Sequence, residues 1–362
     1  MALCHFCKVV PKQQLKSCVC RKVSYCSKEC QAKDWKSHKP SCRPFTIKEA
    51  PGKGKGLFAT RNIQEGEVIL EEYPLFIRDG EMSHHEFKTI YYPIMDKETK
   101  AKILQLHDPA EDFKKLDRRT AKELIRKYPI LRHYKEAESD EMNRIFRIID
   151  GSRISLCNFP ALYSDTEIGL YNNIDRINHS CVANASWTWV MGDFKKKQVR
   201  AIMNIEKGQE ITVCYLAKEE FFYGSTESRR QQMLERNFFL CQCAECSLEG
   251  EELQERDGMR AELRLTNDQL RTGGSDKKVM KLAQKRTKLL QKLSLRALYM
   301  SEMLKFYVFA VMAKKRGIPC ENEPEVFKQE ALKYAKILGD DYLHFYNTRI
   351  LEFSAIKESI QC

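Results

Sequence analysis

The sequence lacks long apolar segments. Its longest clear apolar run covers only residues 307–313, far short of the roughly 20 residues that a membrane-spanning helix needs. The N-terminus also lacks the apolar stretch of a secretory signal, because it leads directly into cysteine-rich sequence. We therefore expect a soluble intracellular protein, located in the cytoplasm and nucleus.

Acidic residues are fewer than basic residues. The chain has 50 Asp and Glu against 62 Lys and Arg, a formal net charge of +12. Much of this excess lies in residues 1–43, which hold ten basic residues and two acidic ones. A basic segment of this kind leaves nucleic acid open as a partner, but charge alone does not select it.

Disulfide bonds are not expected, although the chain has 15 cysteines. Thiols stay reduced inside cells, so clustered cysteines in an intracellular protein are better explained as metal ligands. The length of 362 residues allows two or three domains, and a metal could stabilise one that is too small for its own core.

Closely spaced cysteine and histidine pairs fill the first 42 residues. The candidate ligands are Cys4, Cys7, Cys18, Cys20, Cys26, Cys30, His38 and Cys42. Two side chains from one turn can reach a single ion, and eight ligands satisfy two tetrahedral zinc ions. The alternative is a chance cluster of reduced thiols.

A second cluster, Cys241-x-Cys243-x2-Cys246, offers three thiolates and lacks the fourth ligand that tetrahedral zinc requires. The alternative is three free thiols. Four further cysteines have no close partner along the chain, and we interpret them as free: Cys157, Cys214, Cys320 and Cys362.

Three other segments have residue types suited to binding a ligand. The glycine-rich turn at 52–56 would let the backbone approach a ligand closely. The tetrapeptide NHSC occupies 178–181, and the pattern GxEIxxxY occupies 208–215. Taken singly, the glycine-rich turn is equally consistent with a simple tight turn. The tyrosine that ends the GxEIxxxY pattern is, taken singly, equally consistent with a buried strand residue.

Residues 1–43 resemble a MYND zinc finger, through YCS at 25–27, CQ at 30–31 and WxxH at 35–38. The resemblance implies interleaved zinc sites, one held by Cys4, Cys7, Cys26 and Cys30 and the other by Cys18, Cys20, His38 and Cys42. One residue separates Cys18 from Cys20 where the family usually has two, which requires strain or a tighter turn there. Because MYND fingers usually bind peptides, we expect peptide partners.

Residues from about 45 to 246 resemble a SET domain, because the three ligand-binding segments occur in that family's order and separation. The resemblance implies a protein-lysine methyltransferase that uses S-adenosylmethionine and acts on a histone or another protein. It implies that cofactor is contacted by Lys53, Gly54, Lys55, Asn158, Asn178, His179, Tyr215 and Phe239. It also implies that Cys181 completes the zinc site of Cys241, Cys243 and Cys246, giving three zinc ions per chain.

Methyl transfer from this cofactor is an in-line displacement by a neutral amine on a sulfonium carbon. The reaction needs alignment and a deprotonated lysine, and it needs no metal at the reacting centre. Tyr215 is the candidate catalytic residue, because its hydroxyl oxygen can accept a hydrogen bond from the amine and orient it.

One departure from the SET family favours a different function. Many relatives have a second aromatic residue where this chain has Asn237. The alternative to an enzyme is therefore an inactive SET–MYND adaptor that binds protein partners. Tyr215 and the intact Asn178-His179 pair argue for the enzyme.

The fold class that we predict is α+β. A MYND finger (1–43) precedes a β-rich SET domain (44–240) with a helical insertion at about 81–150, followed by a zinc segment (241–250) and a C-terminal helical domain (251–362). Apolar periodicity predicts helices at 140–149, 281–316, 324–338 and about 342–356.

Overall fold

The computed structural model describes residues 3–10, 14–18, 23–42, 44–79, 82–127, 140–151, 154–155, 167–190, 193–216, 222–303 and 324–339. Strands and helices alternate in blocks along the chain, which confirms the α+β class. Within the described residues, no helix is both long and apolar enough to cross a membrane.

The N-terminal finger has almost no conventional core. Its strands β1 (Lys16–Ser17) and β2 (Ser24–Tyr25) pair antiparallel, and helix α1 (Lys28–Cys42) follows. The buried apolar cluster here consists of three cysteines and the aromatic ring of Tyr25. Tyr25 donates a 2.7 Å hydrogen bond to Asp34 of α1. Sulfur ligands thus occupy the place that apolar side chains fill in larger domains.

Among the described residues, ten further strands form the central part of the molecule. They are β3 (Phe45–Ala50), β4 (Gly54–Ala59), β5 (Val68–Glu72), β6 (Phe76–Asp79), β7 (Ile154–Ser155), β8 (Glu167–Leu170), β9 (Asn178–His179), β10 (Ala185–Val190), β11 (Asp193–Ala201) and β12 (Glu210–Val213). They form three sheets, ordered β3-β4-β12-β9, β10-β11-β5 and β6-β8-β7. A shared core of aliphatic residues, including Leu57, Val199 and Ile211, is completely buried between them.

The first of these sheets determines where the functional side chains lie. Strand β12 pairs antiparallel with β4 and parallel with β9. In the parallel pair, Thr212 lies opposite Asn178 and Val213 lies opposite His179. The segments at 178–181 and 208–215, distant in sequence, therefore lie side by side.

A series of helices lies between β6 and β7. They are α2 (His84–Glu86), a π-helical turn (Phe87–Tyr91), α3 (Tyr92–Ile94), α4 (Lys97–Ile103), α5 (Pro109–Phe113), α6 (Arg118–Lys127) and α7 (Glu141–Gly151). Helix α7 buries Ile145, Phe146 and Ile149, the apolar face expected from periodicity. Its Arg147 forms a buried ion pair with Asp108, 2.7 Å apart, and this pair joins α7 to the start of α5.

The described residues of the C-terminal part are mostly helical. Its helices are α8 (Thr226–Asn237), α9 (Gly250–Arg271), α10 (Asp276–Lys292), α11 (296–303) and α12 (Pro324–Leu338). Helix α12 has the bounds that its Pro and Gly signals predict. The helix predicted at 342–356 falls outside the described residues.

The prediction of one continuous helix over 281–316 is wrong, because the chain breaks between α10 and α11. Ser294 adopts a left-handed conformation with φ of 53°, and the Leu295 amide donates to the Leu290 carbonyl. The guanidinium of Arg256 binds the carbonyls of Lys292 and Leu293 at 2.6 and 3.0 Å. These two carbonyls at the end of α10 therefore have a hydrogen-bond donor from α9, which offsets the loss of helical hydrogen bonds where the helix breaks.

Candidate functional site

The finger brings its ligands together in the interleaved arrangement. Cys4, Cys7, Cys26 and Cys30 place their sulfur atoms within 4.8 Å of one another. The Cys7 and Cys26 sulfurs are 3.7 Å apart, and those of Cys26 and Cys30 are 3.5 Å apart. Cys4 and Cys7 come from the loop before β1, Cys26 from the turn between β2 and α1, and Cys30 from the first turn of α1.

The second finger cluster contains Cys18, His38 and Cys42, whose ligand atoms also lie within 4.8 Å of one another. Cys18 and Cys42 are 3.3 Å apart, and all three residues are buried. Cys20, the fourth ligand implied by the resemblance, falls outside the described residues.

The third cluster joins two distant parts of the chain. Cys181 follows β9, and Cys241, Cys243 and Cys246 lie in the loop after α8. All four are buried, and the Cys181 and Cys246 sulfurs are 3.5 Å apart. The fourth ligand that the sequence lacked locally is thus supplied by the NHSC segment.

The donor sets of these clusters fit zinc. Zn–S bonds of about 2.3 Å in a tetrahedron place neighbouring sulfurs roughly 3.8 Å apart. The sulfur separations of 3.3–3.7 Å are close to that value. Three zinc ions per chain agree with three clusters, two of which have all four ligands among the described residues.

The loop of the third cluster is tied to the C-terminal helices. Glu245, between two of its cysteines, is buried and accepts hydrogen bonds from Arg256 and Arg260 of α9, at 2.7 and 2.8 Å. Arg260 is itself completely buried and donates to the carbonyl of Phe222. A buried network of this kind makes the loop and α9 one packed unit.

Asn178 is held by a carboxylate to which the sequence assigned no role. Its amide nitrogen donates to Glu210 Oε1 at 2.7 Å and to the Lys55 carbonyl at 3.2 Å. The other oxygen of Glu210 binds the Lys53 ammonium at 2.8 Å. Both donors of the amide are used, so its carbonyl oxygen is left to accept from a ligand.

Gly56 is the residue that makes this close approach possible. A Cβ placed there would lie 2.7 Å from Asn178 Nδ2 and 2.7 Å from Glu210 Oε1. Gly54, two residues earlier, has φ of 71°, and a Cβ on it would meet nothing within 4 Å. The turn therefore packs on Asn178 at one glycine and exposes open space for a ligand at the other.

His179 links the cleft to the third cluster. Its Nδ1 accepts a 3.0 Å hydrogen bond from the Tyr215 amide, so the proton resides on Nε2, which lies 3.4 Å from Cys181 Sγ. Burial lowers the pKa of His179 to about 4. The neutral ring thus donates toward a metal-ligand sulfur, an arrangement that orients the ligand.

The hydroxyl of Tyr215 donates its hydrogen to a backbone carbonyl. The hydroxyl donates to the Ile177 carbonyl at 2.5 Å, and the ring stacks near Trp187 with centroids 6.3 Å apart. Burial raises the pKa of Tyr215 above its ordinary value, so the phenol stays neutral. The remaining lone pair of the oxygen can accept a hydrogen bond from an amine.

These residues line one cleft of about 2280 Å³. Among the predicted cofactor contacts, the cleft is bordered by Lys53, Gly54, Lys55, Asn178, His179, Tyr215 and Phe239. Asn237, at the end of α8, also borders it. Asn158 falls outside the described residues. The volume accommodates a nucleotide-sized ligand together with an entering side chain.

Sequence reasoning missed Glu210 and Glu245 as organising residues. The signal available in the sequence was that Glu210 stood within the quoted GxEIxxxY pattern. Only the structure shows that its strand β12 pairs with β9, the strand of Asn178. Glu245 had no signal, because a charged residue in a short loop ordinarily faces solvent.

Two parts of the chain match family models of known proteins. The SET domain family model matches residues 54–216, and the MYND finger model matches residues 4–42. The histone-lysine N-methyltransferase SMYD3 of Homo sapiens is 24% identical over 252 residues, which are 67% of this chain and 51% of that protein. The N-lysine methyltransferase SMYD2 of Sus scrofa is 24% identical over 266 residues, 73% of this chain and 54% of that protein.

The chain therefore spans about half the length of the curated relatives it matches. Among solved structures, the SET domain of LSMT bound to lysine and AdoHcy is 11% identical with a TM-score of 0.31, over 89% of this chain and 91% of that one.

Proposed function

We propose that this chain, which belongs to the family that combines a SET domain with a MYND zinc finger, is an S-adenosylmethionine-dependent protein-lysine methyltransferase. The similarity to SMYD3 and SMYD2, both named as lysine methyltransferases, supports this activity. The observation that carries it is the neutral Tyr215 hydroxyl, held by the Ile177 carbonyl beside Asn178 and His179.

Bound S-adenosylmethionine would supply an electrophilic methyl group on a sulfonium sulfur. Lys53 and Lys55 are suited to its carboxylate, and the Asn178 carbonyl oxygen is suited to its ammonium. The backbone of the glycine turn borders the same space. Phe239 offers an aromatic surface for the adenine or for the channel wall.

Tyr215 would orient the substrate lysine rather than deprotonate it. Its pKa is raised by burial, so the phenol carries its proton at neutral pH and is no general base. Removal of the lysine from water as it enters the cleft would lower the pKa of its ammonium group, so that its proton is released to solvent and the neutral amine is the form that reaches Tyr215. The oxygen of Tyr215 then accepts a hydrogen bond from the neutral amine and directs its lone pair.

The substrate that we propose is a lysine of a histone or another protein, with further peptide partners at the MYND finger. The cytoplasm and nucleus are the proposed locations. The basic finger leaves nucleic acid as an additional ligand to test. The ordered arrangement of residues around the cleft favours the enzyme over the inactive adaptor, because an adaptor does not require the oriented phenol of Tyr215.

The test is calorimetric binding of S-adenosylmethionine, followed by mass spectrometry of proteins methylated in a lysate. Tyr215→Phe should keep cofactor affinity while turnover falls at least ~10-fold, since this needs only about 1.4 kcal/mol of lost transition-state stabilisation.

Tyr171→Phe is the matched control, because Tyr171 is a buried tyrosine whose hydroxyl also donates to a backbone carbonyl, that of Lys195, at 3.1 Å. This control should lose stability and keep its turnover. Wild-type protein that binds cofactor and methylates nothing would support the adaptor instead.

A further inference from the structure

One arginine in α8 is buried against the third cysteine cluster. Arg229 has no exposed surface. Its Nη1 donates to the Gly224 carbonyl at 2.7 Å, and its Nη2 donates to Thr226 Oγ1 at 3.0 Å and to Cys246 Sγ at 3.6 Å. The guanidinium is thus fixed in position with one edge toward a ligand sulfur.

The charge of the metal centre explains why a cation is tolerated there. Four thiolates around Zn²⁺ carry a net charge of −2, and all four cysteines of this cluster are buried. A buried charge is costly unless an opposite charge lies near it. An arginine beside four neutral thiols would have no such compensation from them, whereas beside a zinc tetrathiolate it neutralises half of the excess charge.

Asp257 does not account for the buried cation by itself. Its carboxylate lies 3.8 Å from the Arg229 Nη1 and is partly exposed. Both of its oxygens already accept from the Thr226 amide, at 2.9 and 3.1 Å. The shorter, hydrogen-bonded contacts of the guanidinium are to the Gly224 carbonyl, Thr226 and Cys246. Of these three, only Cys246 belongs to an anionic group when the cluster holds zinc, so the guanidinium donates directly to the sulfur cluster and not to Asp257.

We propose that Arg229 is the counter-cation of the zinc site formed by Cys181, Cys241, Cys243 and Cys246, and that it determines how tightly this site holds its metal. The residue is a positioning residue for the cleft, since Phe239 lies two residues before Cys241. Together with the Nε2 of His179, which faces Cys181, it makes two N–H donors to the thiolates. Loss of such a partner commonly reduces metal affinity about 10- to 100-fold.

The experiment measures zinc retention in the full chain. Wild type, Arg229→Met and Arg229→Lys are equilibrated with graded concentrations of a zinc chelator, and bound zinc is counted by mass spectrometry. Alkylation of cysteines shows which cluster has opened. Arg229→Met should lose zinc from the Cys241 cluster at least ~10-fold more readily than wild type. Arg229→Lys, which keeps the charge, should retain it better than Arg229→Met.

Arg147→Met is the matched control, because Arg147 is a buried arginine of α7 whose ion-pair partner is a carboxylate, that of Asp108, and not a sulfur ligand. It should lower stability and leave the zinc affinity of the Cys241 cluster unchanged. Equal zinc loss in this control, or wild-type retention in Arg229→Met, would overturn the proposal.

A poorly folded Arg229→Met variant still decides the question. Zinc that binds the native state alone stabilises it by an amount that rises with the logarithm of the free zinc concentration, so added zinc should restore the fold if the defect is in metal affinity. A fold that no zinc concentration restores would contradict the role of counter-cation.

Discussion

Gly56→Ala is the smallest change that tests the organisation of the cleft. Gly56 is buried and has no left-handed backbone, so alanine brings no conformational strain. Its Cβ would nevertheless lie 2.7 Å from Asn178 Nδ2 and from Glu210 Oε1. Contacts that short cannot persist, so one of these two side chains must move and break the hydrogen bond between them.

The size of the expected loss of affinity follows from the free energy of that hydrogen bond. A hydrogen bond to a charged group contributes about 1.5–3 kcal/mol. If cofactor binding must restore the orientation of Asn178, this cost appears in the affinity, at about 1.4 kcal/mol for each tenfold change. We therefore expect S-adenosylmethionine to bind about 10- to 100-fold more weakly to Gly56→Ala. The variant should still unfold cooperatively, and its free energy of unfolding should fall by no more than the free energy of this hydrogen bond.

Titration calorimetry measures the affinity, and Gly258→Ala provides the control. Gly258 lies in α9, and a Cβ on it would meet nothing within 4 Å. Alanine in a helix interior is favoured over glycine by about 1 kcal/mol, so this control should gain stability and keep its affinity.

A double-mutant cycle with Asn178→Ala sharpens the test. If Gly56→Ala acts by displacing Asn178, it should cost little further affinity once that amide is absent, because the two changes share one interaction. Additive losses, or an unchanged affinity in folded Gly56→Ala, would refute the reasoning.

Three further outcomes follow from the structure. Cys7→Ser should reduce the zinc content from about three to about two per chain while S-adenosylmethionine affinity stays unchanged, as metal analysis and calorimetry would show; retention of all three zinc ions would argue against the first finger site. Asp108→Ala should lower the free energy of unfolding in urea by about 3–5 kcal/mol, because Arg147 is left buried without its partner; a loss below about 1 kcal/mol would contradict this. Ser294→Gly should raise the thermal midpoint by relieving about 1 kcal/mol of left-handed strain, and a lower midpoint would show that its side chain has a separate role.

Local spacing explains why the first finger cluster was predictable. Two residues separate Cys4 from Cys7, and three separate Cys26 from Cys30, so each pair reaches a common ion with little dependence on the rest of the chain. The left-handed break at Ser294 was not predictable in the same way. The apolar periodicity continues through it, and the reason for the break is Arg256, which comes from another helix.

The sequence by itself determined the ligand types, the short metal-binding pairs and the three segments that carry the chemistry, because each depends on residues close together in the chain. Only the tertiary structure decided that Glu210 holds both Asn178 and Lys53, and that Arg229 lies against Cys246. The first depends on the parallel register of β12 with β9, and the second on the packing of α8 and α9 around a buried loop. Strand register and helix packing arise from the whole core, and a polar residue in a linear sequence does not reveal whether that core will enclose it.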